Sequence, residues 1–170
     1  MASVRALTQA DTSALIALRR EALQSAPLAF GASPEDDVGL SFEFVETALA
    51  DSANRIVLGF YMDNKLKGMI GIVRNSKVKE RHKAHIWGMY VSPDCRKKSA
   101  GTALLRAAIQ QANEWSGVSQ IHLSVTEAAV EAKRLYERAG FQEWGREPCS
   151  LYADGRFLDE HHFVLRLQRV

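Results

Sequence analysis

Cysteine is almost missing from this chain: Cys95 and Cys149 are the only two in 170 residues, and they form no C-x-x-C spacing. Two thiols make neither a disulfide framework nor a four-cysteine metal site, and a reducing, cytoplasmic setting is expected. No segment approaches the roughly 18 consecutive apolar residues that a membrane span requires, and the opening run MASVRALTQADTSAL has no apolar signal core. Charge of one sign is also lacking, since 22 basic against 20 acidic residues leave a net charge of only +2. A nucleic-acid module needs a basic stripe interleaved with stacking aromatics, and Arg96-Lys97-Lys98 is too short for one, so neither a nucleic-acid nor a membrane partner is expected. Repeats and low-complexity tracts are absent too. Proline and glycine gather only at residues 26–40, where Pro27, Gly31, Pro34 and Gly39 surround Glu35, Asp36 and Asp37. That stretch reads as a loop between helices, not a linker between domains. What remains is ordinary globular material, 46% hydrophobic and 25% charged, long enough for one core and one domain over residues 1–170.

Hydrophobic periodicity supplies the elements. Residues 4–7 read as a first strand. Asp11 is a candidate cap for a helix with Leu15, Leu18, Ala22 and Leu23 on one face. Ser41 can cap a second helix whose apolar side is Phe44, Val45, Ala48 and Leu49. Residues 55–62 and 66–73 are apolar runs separated by Asp63-Asn64-Lys65, a hairpin signature with Asn64 suited to positive φ. A third central strand covers residues 82–91 and stops at Ser92-Pro93-Asp94. Residues 103–115 carry the clearest helical pattern, with Leu104, Leu105, Ala108, Ile109, Ala112 and Trp115, ended by Ser116-Gly117. Residues 118–125 alternate as a strand, Ile121, Leu123 and Val125 facing one way. Thr126 is expected to cap a fourth helix with Ala132, Leu135, Tyr136 and Ala139 inward, stopped by Gly140. Residues 141–149 and 157–167 finish the chain as strands joined at Ala153-Asp154-Gly155. The order β-α-α-β-β-β-α-β-α-β-β predicts an α/β (α+β) fold, a mixed and mostly antiparallel sheet of about seven strands flanked by about four helices.

The chemistry concentrates between Met89 and Leu105. An apolar strand runs into a short loop, then into Arg96-Lys97-Lys98-Ser99-Ala100-Gly101-Thr102, then into a long helix. The first turn of a helix offers unpaired N–H groups and the positive end of the dipole, and small residues let an anion reach that backbone. A phosphate or pyrophosphate seat and a solvated basic loop both fit this pattern.

The same run resembles the R-x-x-G-x-G/A motif of the GNAT superfamily of acetyl-CoA-dependent N-acyltransferases, preceded by its apolar-Tyr-Val-x-Pro strand end. Ala132-Lys133-Arg134-Leu135-Tyr136-Glu137-Arg138-Ala139-Gly140-Phe141 is similar to the family's second signature, A-x-x-L-Y-x-x-x-G-F. Ser99 stands where the first motif glycine is usual, and is expected to tolerate helical φ/ψ there. Ala129 stands where the family often carries asparagine.

The resemblance implies a GNAT-like fold and acetyl-CoA as acyl donor, with a primary amine as acceptor. Its pantetheine arm would pair with the backbone of Met89, Tyr90 and Val91, and its pyrophosphate would lie on Arg96, Lys97, Lys98, Ser99, Ala100, Gly101 and Thr102. Tyr136 matches the general acid that protonates the leaving thiolate. A core aromatic is the plainer reading of the same side chain. The strand position where many relatives carry a glutamate holds His85 and Trp87, so His85, Glu127 or an ordered water is left to deprotonate the amine. No metal is expected, because adjacent His161 and His162 would point to opposite faces of a strand. Cys95 beside Arg96 has no histidine partner in the pattern to make it a nucleophile. A monomer or homodimer is expected, and a non-catalytic acyl-CoA-binding regulator is the alternative on the same fold.

Overall fold

The computed structural model describes residues 1–51, 53–96 and 99–168. Seven strands form one sheet in the order β1-β2-β3-β4-β5-β7-β6. They are β1 (Ala2–Ala6), β2 (Arg55–Met62), β3 (Lys65–Arg74), β4 (Lys83–Val91), β5 (Gln120–Thr126), β6 (Gln142–Ala153) and β7 (Arg156–Arg166). The helices are α1 (Thr12–Ser25), α2 (Phe42–Ala50), α3 (Ala100–Glu114) and α4 (Val130–Arg138). Every neighbouring pair is antiparallel except β4–β5, so the expected mixed, mostly antiparallel architecture is what forms.

Alternation along the central strands divides the core in two. Leu58, Phe60, Ile70, Ile72, Ile86, Ile121 and Leu123 point to one face and bury the Leu104, Leu105, Ala108 and Ala112 stripe of α3. Val57, Met69 and Tyr90 point to the other face, against Leu15, Leu18 and Ala22 of α1 and Val45 and Leu49 of α2. The expected helix faces are therefore the buried ones, except that Phe44 stays 46% exposed. Both short hairpins follow from their turn residues. Asp63 and Asn64 have φ of 49° and 61°, and Asp154 and Gly155 have φ of 50° and 74°, the two successive positive values of a type I′ turn. Gly140, at φ +93°, ends α4: its N–H donates to the Glu137 carbonyl and that of Phe141 to the Tyr136 carbonyl, a Schellman motif.

Three expectations about helix starts are corrected. Asp11 does not cap α1 with its carboxylate, which instead accepts both guanidinium nitrogens of Arg5 (2.7 and 2.8 Å) and the hydroxyl of Tyr61 (2.7 Å). The Arg5 hydrogen bond holds the Asp11 carboxyl well below the usual carboxylate range, while burial and that carboxylate push Tyr61 up to about 12. Thr126 does not cap α4, which starts four residues later. Its Oγ1 donates to the Leu28 carbonyl (2.6 Å), tying the loop after α1 to the end of β5. Finally α3 begins at Ala100, and Ser99 before it is left-handed (φ 60°, ψ 9°) instead of helical.

Positive φ costs an ordinary L-residue roughly 1–2 kcal/mol, a cost glycine escapes. Ser99→Gly is therefore expected to hold or raise the melting temperature, and Ser99→Val to lower it by about 2–4 °C per kcal/mol lost. Gly88, inside β4 at φ +64°, should behave the opposite way, Gly88→Ala losing about 1–2 kcal/mol. Thermal melts of the three variants beside the parent check both positions.

Candidate functional site

β4 and β5 pair in parallel at only three positions, Lys83↔Gln120, Ala84↔Ile121 and His85↔His122. Past His85 they separate. The cause lies in β4, whose register against β3 shifts between the Trp87↔Gly71 and Tyr90↔Met69 pairs, so that β4 holds one residue more than β3 there. The extra residue makes a bulge at Gly88, whose positive φ bends the strand away from β5. Met89, Tyr90 and Val91 continue alongside β3, leaving the opposite backbone edge of this segment without a strand neighbour.

The chain then leads straight into α3. Arg96 Nε donates to the Val91 carbonyl (3.1 Å) and its guanidinium lies 5.8 Å from the centroid of the Tyr90 ring, so this cation is tied to the strand end. The Ala103 N–H donates to the Ser99 carbonyl as the first full turn closes, which leaves the amides of Ala100, Gly101 and Thr102 as the orphan donors of the helix start. No side chain caps them. Lys97 and Lys98 lie outside the described residues. Gly101 has a packing role: a β-carbon there would come within 3.2 Å of Leu135 and 3.3 Å of Met89, so its lack of a side chain lets α3 sit against α4 and β4.

A cavity of about 290 Å³ opens where β4 and β5 part. Its walls bring together His85 and Met89 from β4, Ser124 from β5, Tyr136 from α4, Glu160 from β7 and Arg19 from α1. Tyr136 is 5% exposed, and burial alone holds its phenol above the ordinary tyrosine value, so it keeps its proton throughout the neutral range. His85 moves the other way. Desolvation by the surrounding protein, reinforced by His162 and opposed by Glu160, holds its imidazole below the ordinary value and therefore neutral at pH 7. The side-chain rings of His85 and His122 stack with centroids 6.5 Å apart.

Other residues singled out in the sequence are engaged elsewhere. Glu127 does not line the cavity, and its Oε1 accepts the Asp159 N–H (3.1 Å). The Tyr90 hydroxyl bonds Ser25 (2.7 Å) and Glu21 (3.0 Å) beneath α1. Cys95 is buried at 2% exposure and is absent from the cavity wall, while Cys149 is exposed on β6. His161 is buried against Glu143 (2.8 Å), and His162 faces the opposite way, toward Glu147 and the Trp144 ring. The acidic loop lends no free charge to the cavity: Asp37 is held by Arg19 (2.6 Å) and Asp36 by the backbone and hydroxyl of Ser33.

Three wall residues escaped the sequence reading: Arg19, Ser124 and Glu160. Ser124 and Glu160 are joined across β5 and β7 by a 2.7 Å hydrogen bond, and Glu160 also accepts from Ser150 (3.1 Å). Their places follow from the β7 register, which the sequence pattern does not encode. Gly88 did carry a signal, as a glycine interior to a strand.

The comparisons agree with this geometry. The family model described as Acetyltransferase (GNAT) family matches residues 15–141. No curated protein matches the sequence. Among solved structures, a GNAT-family acetyltransferase from Streptococcus pneumoniae superposes with a TM-score of 0.88 at 23% identity, covering 98% of this chain and 100% of its own. A ribosomal-protein-alanine N-acetyltransferase from Brucella melitensis gives 0.82 at 23% identity, with 97% and 99% covered. A phosphinothricin acetyltransferase from Sinorhizobium meliloti, solved in complex with acetyl-CoA, gives 0.82 at 20% identity, with 98% and 88% covered. With the family model spanning three-quarters of its length, the chain belongs to the GNAT acetyltransferase family.

Proposed function

We propose that this protein is an N-acetyltransferase that takes the acetyl group of acetyl-CoA and delivers it to a primary amine by direct attack, with residues 1–170 acting as one catalytic domain. The observation that carries the reading is the parting of β4 and β5 at Gly88, which puts a free strand edge, an uncapped helix start and a buried tyrosine around one cavity. The donor fits these features by elementary chemistry. Amide groups of an extended pantetheine arm match the free N–H and C=O groups of Met89, Tyr90 and Val91, in the manner of an added strand. A pyrophosphate matches the amides of Ala100, Gly101 and Thr102 with Arg96 beside them, and the positive helix end favours it. The donor supplies an activated acetyl group as a thioester; the protein supplies position and protons.

An alkylammonium has a pKa near 10, so the acceptor must lose a proton before it attacks. Neutral His85 on the cavity wall is the group we assign to that step, and its depressed pKa keeps it able to accept at pH 7. Glu160, on the same wall, suits the ammonium that waits there. Tyr136, protonated at every physiological pH, is the donor for the departing thiolate. The two groups have had their affinities for protons moved apart, one downward and one upward, as an acid and a base in one site require.

Tyr136→Phe keeps the ring and deletes one oxygen, so stability should fall by no more than about 1 kcal/mol. Thermal stabilisation by acetyl-CoA should be unchanged, whereas kcat should fall about 10–10³-fold, followed by free-thiol release. Retained kcat, in a reaction limited by chemistry, would leave Tyr136 as a core aromatic only. Turnover of no amine in the parent, with acetyl-CoA still bound, would make the protein a binding regulator.

His85→Ala is expected to lower kcat/KM about 10²-fold. The sign of the pH effect follows from the depressed imidazole: the parent should lose activity only on the acid side, below the ordinary histidine pKa, as His85 becomes protonated. That acid limb should vanish in the variant. A variant profile that overlays the parent's would pass the role to Glu160 or to an ordered water.

A further inference from the structure

Arg19 is the one arginine whose surroundings leave a buried N–H unused. Its side chain is 11% exposed, its Nε donates to Asp37 (2.6 Å), and its guanidinium lies 5.0 Å from the centroid of the Phe30 ring. Yet Nη1 is sealed from solvent and has no hydrogen-bond partner among the described residues. Buried polar groups are normally satisfied, so such a donor marks a place where something else is meant to sit. Its position is specific. A β-carbon on Gly88 would lie 3.7 Å from Nη1, so the free N–H stands beside the bulge that parts β4 from β5. Asp37 does not swing away to satisfy it, because the other carboxylate oxygen is already held by the Gly39 N–H (3.0 Å).

Arg19 also lines a second cavity of about 270 Å³, between α1, α2 and the sheet, and shares that role with Trp87. The second cavity is walled mainly by aliphatic groups, among them Leu15, Val45, Leu49, Val57 and Met69, with Arg55 as a further cation. The two cavities therefore meet at a cationic corner. On one side lie Glu160 and neutral His85, which suit an ammonium, and on the other an apolar chamber.

We infer that the acceptor is a free α-amino acid with an apolar side chain, its carboxylate bound by Arg19 and its side chain in the second cavity. The inference rests on the acetyltransferase reading above and names the substrate class of the same site. An α-amino acid is the smallest molecule that presents an amine, an anion and an apolar group from one carbon, which is the set this junction can receive. The carboxylate would satisfy Nη1 through a charge-assisted hydrogen bond. An amine lacking that group would leave the N–H stranded, and sites built to bond a substrate group reject the analogue without it. Polyamines are disfavoured because the only acid in the second cavity, Asp37, is already paired with Arg19.

The test compares L-leucine, leucinamide, isoamylamine, a leucyl dipeptide and spermidine by free-thiol release, and by melting-temperature shift in the presence of acetyl-CoA. L-leucine should give a kcat/KM about 10²-fold or more above isoamylamine, and the larger thermal shift. Arg19→Met should cut the leucine-to-isoamylamine ratio about 10²-fold. Because that change strands Asp37, the double variant Arg19→Met with Asp37→Leu repeats the measurement with both charges gone. Retained acetyl-CoA stabilisation shows that either variant is folded with its donor site intact. Isoamylamine matching leucine, a ratio unmoved by the loss of Arg19, or preference for spermidine would each overturn the inference. Preference for the dipeptide or leucinamide would overturn it too, by placing a neutral carbonyl on Nη1. Acetyl-CoA failing to stabilise the parent would instead strike the donor reading, and the leucine-against-isoamylamine shift, which needs no turnover, would still judge the acceptor.

Discussion

Everything at the site depends on a parallel pairing that stops early. Three residue pairs hold β4 to β5, and the bulge at Gly88 then turns β4 aside. A gap in a sheet exposes two unpaired backbone edges, which a fold normally avoids because such edges recruit other strands. Here the gap is enclosed. Leu104 and Leu105 of α3 bury against β2, β3, β4 and β5 together, so one helix braces both sides of the split. The Thr126 hydroxyl grips the Leu28 carbonyl and brings the loop after α1 over the mouth. β7 continues the sheet beyond β5 and contributes Glu160 to the wall. The separation that weakens the sheet is also the only place where Tyr136, His85 and a free strand edge can share one space.

Charge placement serves the same end. The Arg5, Asp11 and Tyr61 cluster joins β1, the start of α1 and β2 by hydrogen bonds at 2.7 and 2.8 Å. Partly exposed and buried ion pairs contribute little net stability, because desolvation offsets much of the attraction. What this cluster does is fix where α1 begins. Arg19 lies eight residues past Asp11, about 12 Å along a helix that rises 1.5 Å per residue, so anchoring the start also sets where Arg19 arrives. The Arg19–Asp37 pair then holds the loop before α2 against α1 and leaves one N–H directed at the bulge.

Local chemistry settled much of this in advance. The α1 and α3 stripes, the Asp63-Asn64 and Asp154-Gly155 turns, the Gly140 stop and the two motifs that resemble the acetyltransferase family are all short-range patterns. Each is decided by residues within a turn or two of one another, so the sequence by itself determined the element order, the core faces and the family. Ser99 marks where local reading failed. Nothing in its neighbours says that the helix begins one residue later and leaves it left-handed.

Tertiary structure decided the rest, because it depends on register and on pairing between distant segments. Whether β4 stays with β5 for three residues or for eight is not a property of either strand alone. Nor does the alternation of β7 say that Glu160 will lie beside Ser124, 36 residues away, at the mouth of a cavity. Arg19 reads as one more polar residue on an amphipathic helix until the sheet, the 26–40 loop and Gly88 close around it. Periodicity specifies which side of an element is buried; only packing specifies what that side meets, and in this protein the acceptor side of the site is made almost wholly of such meetings.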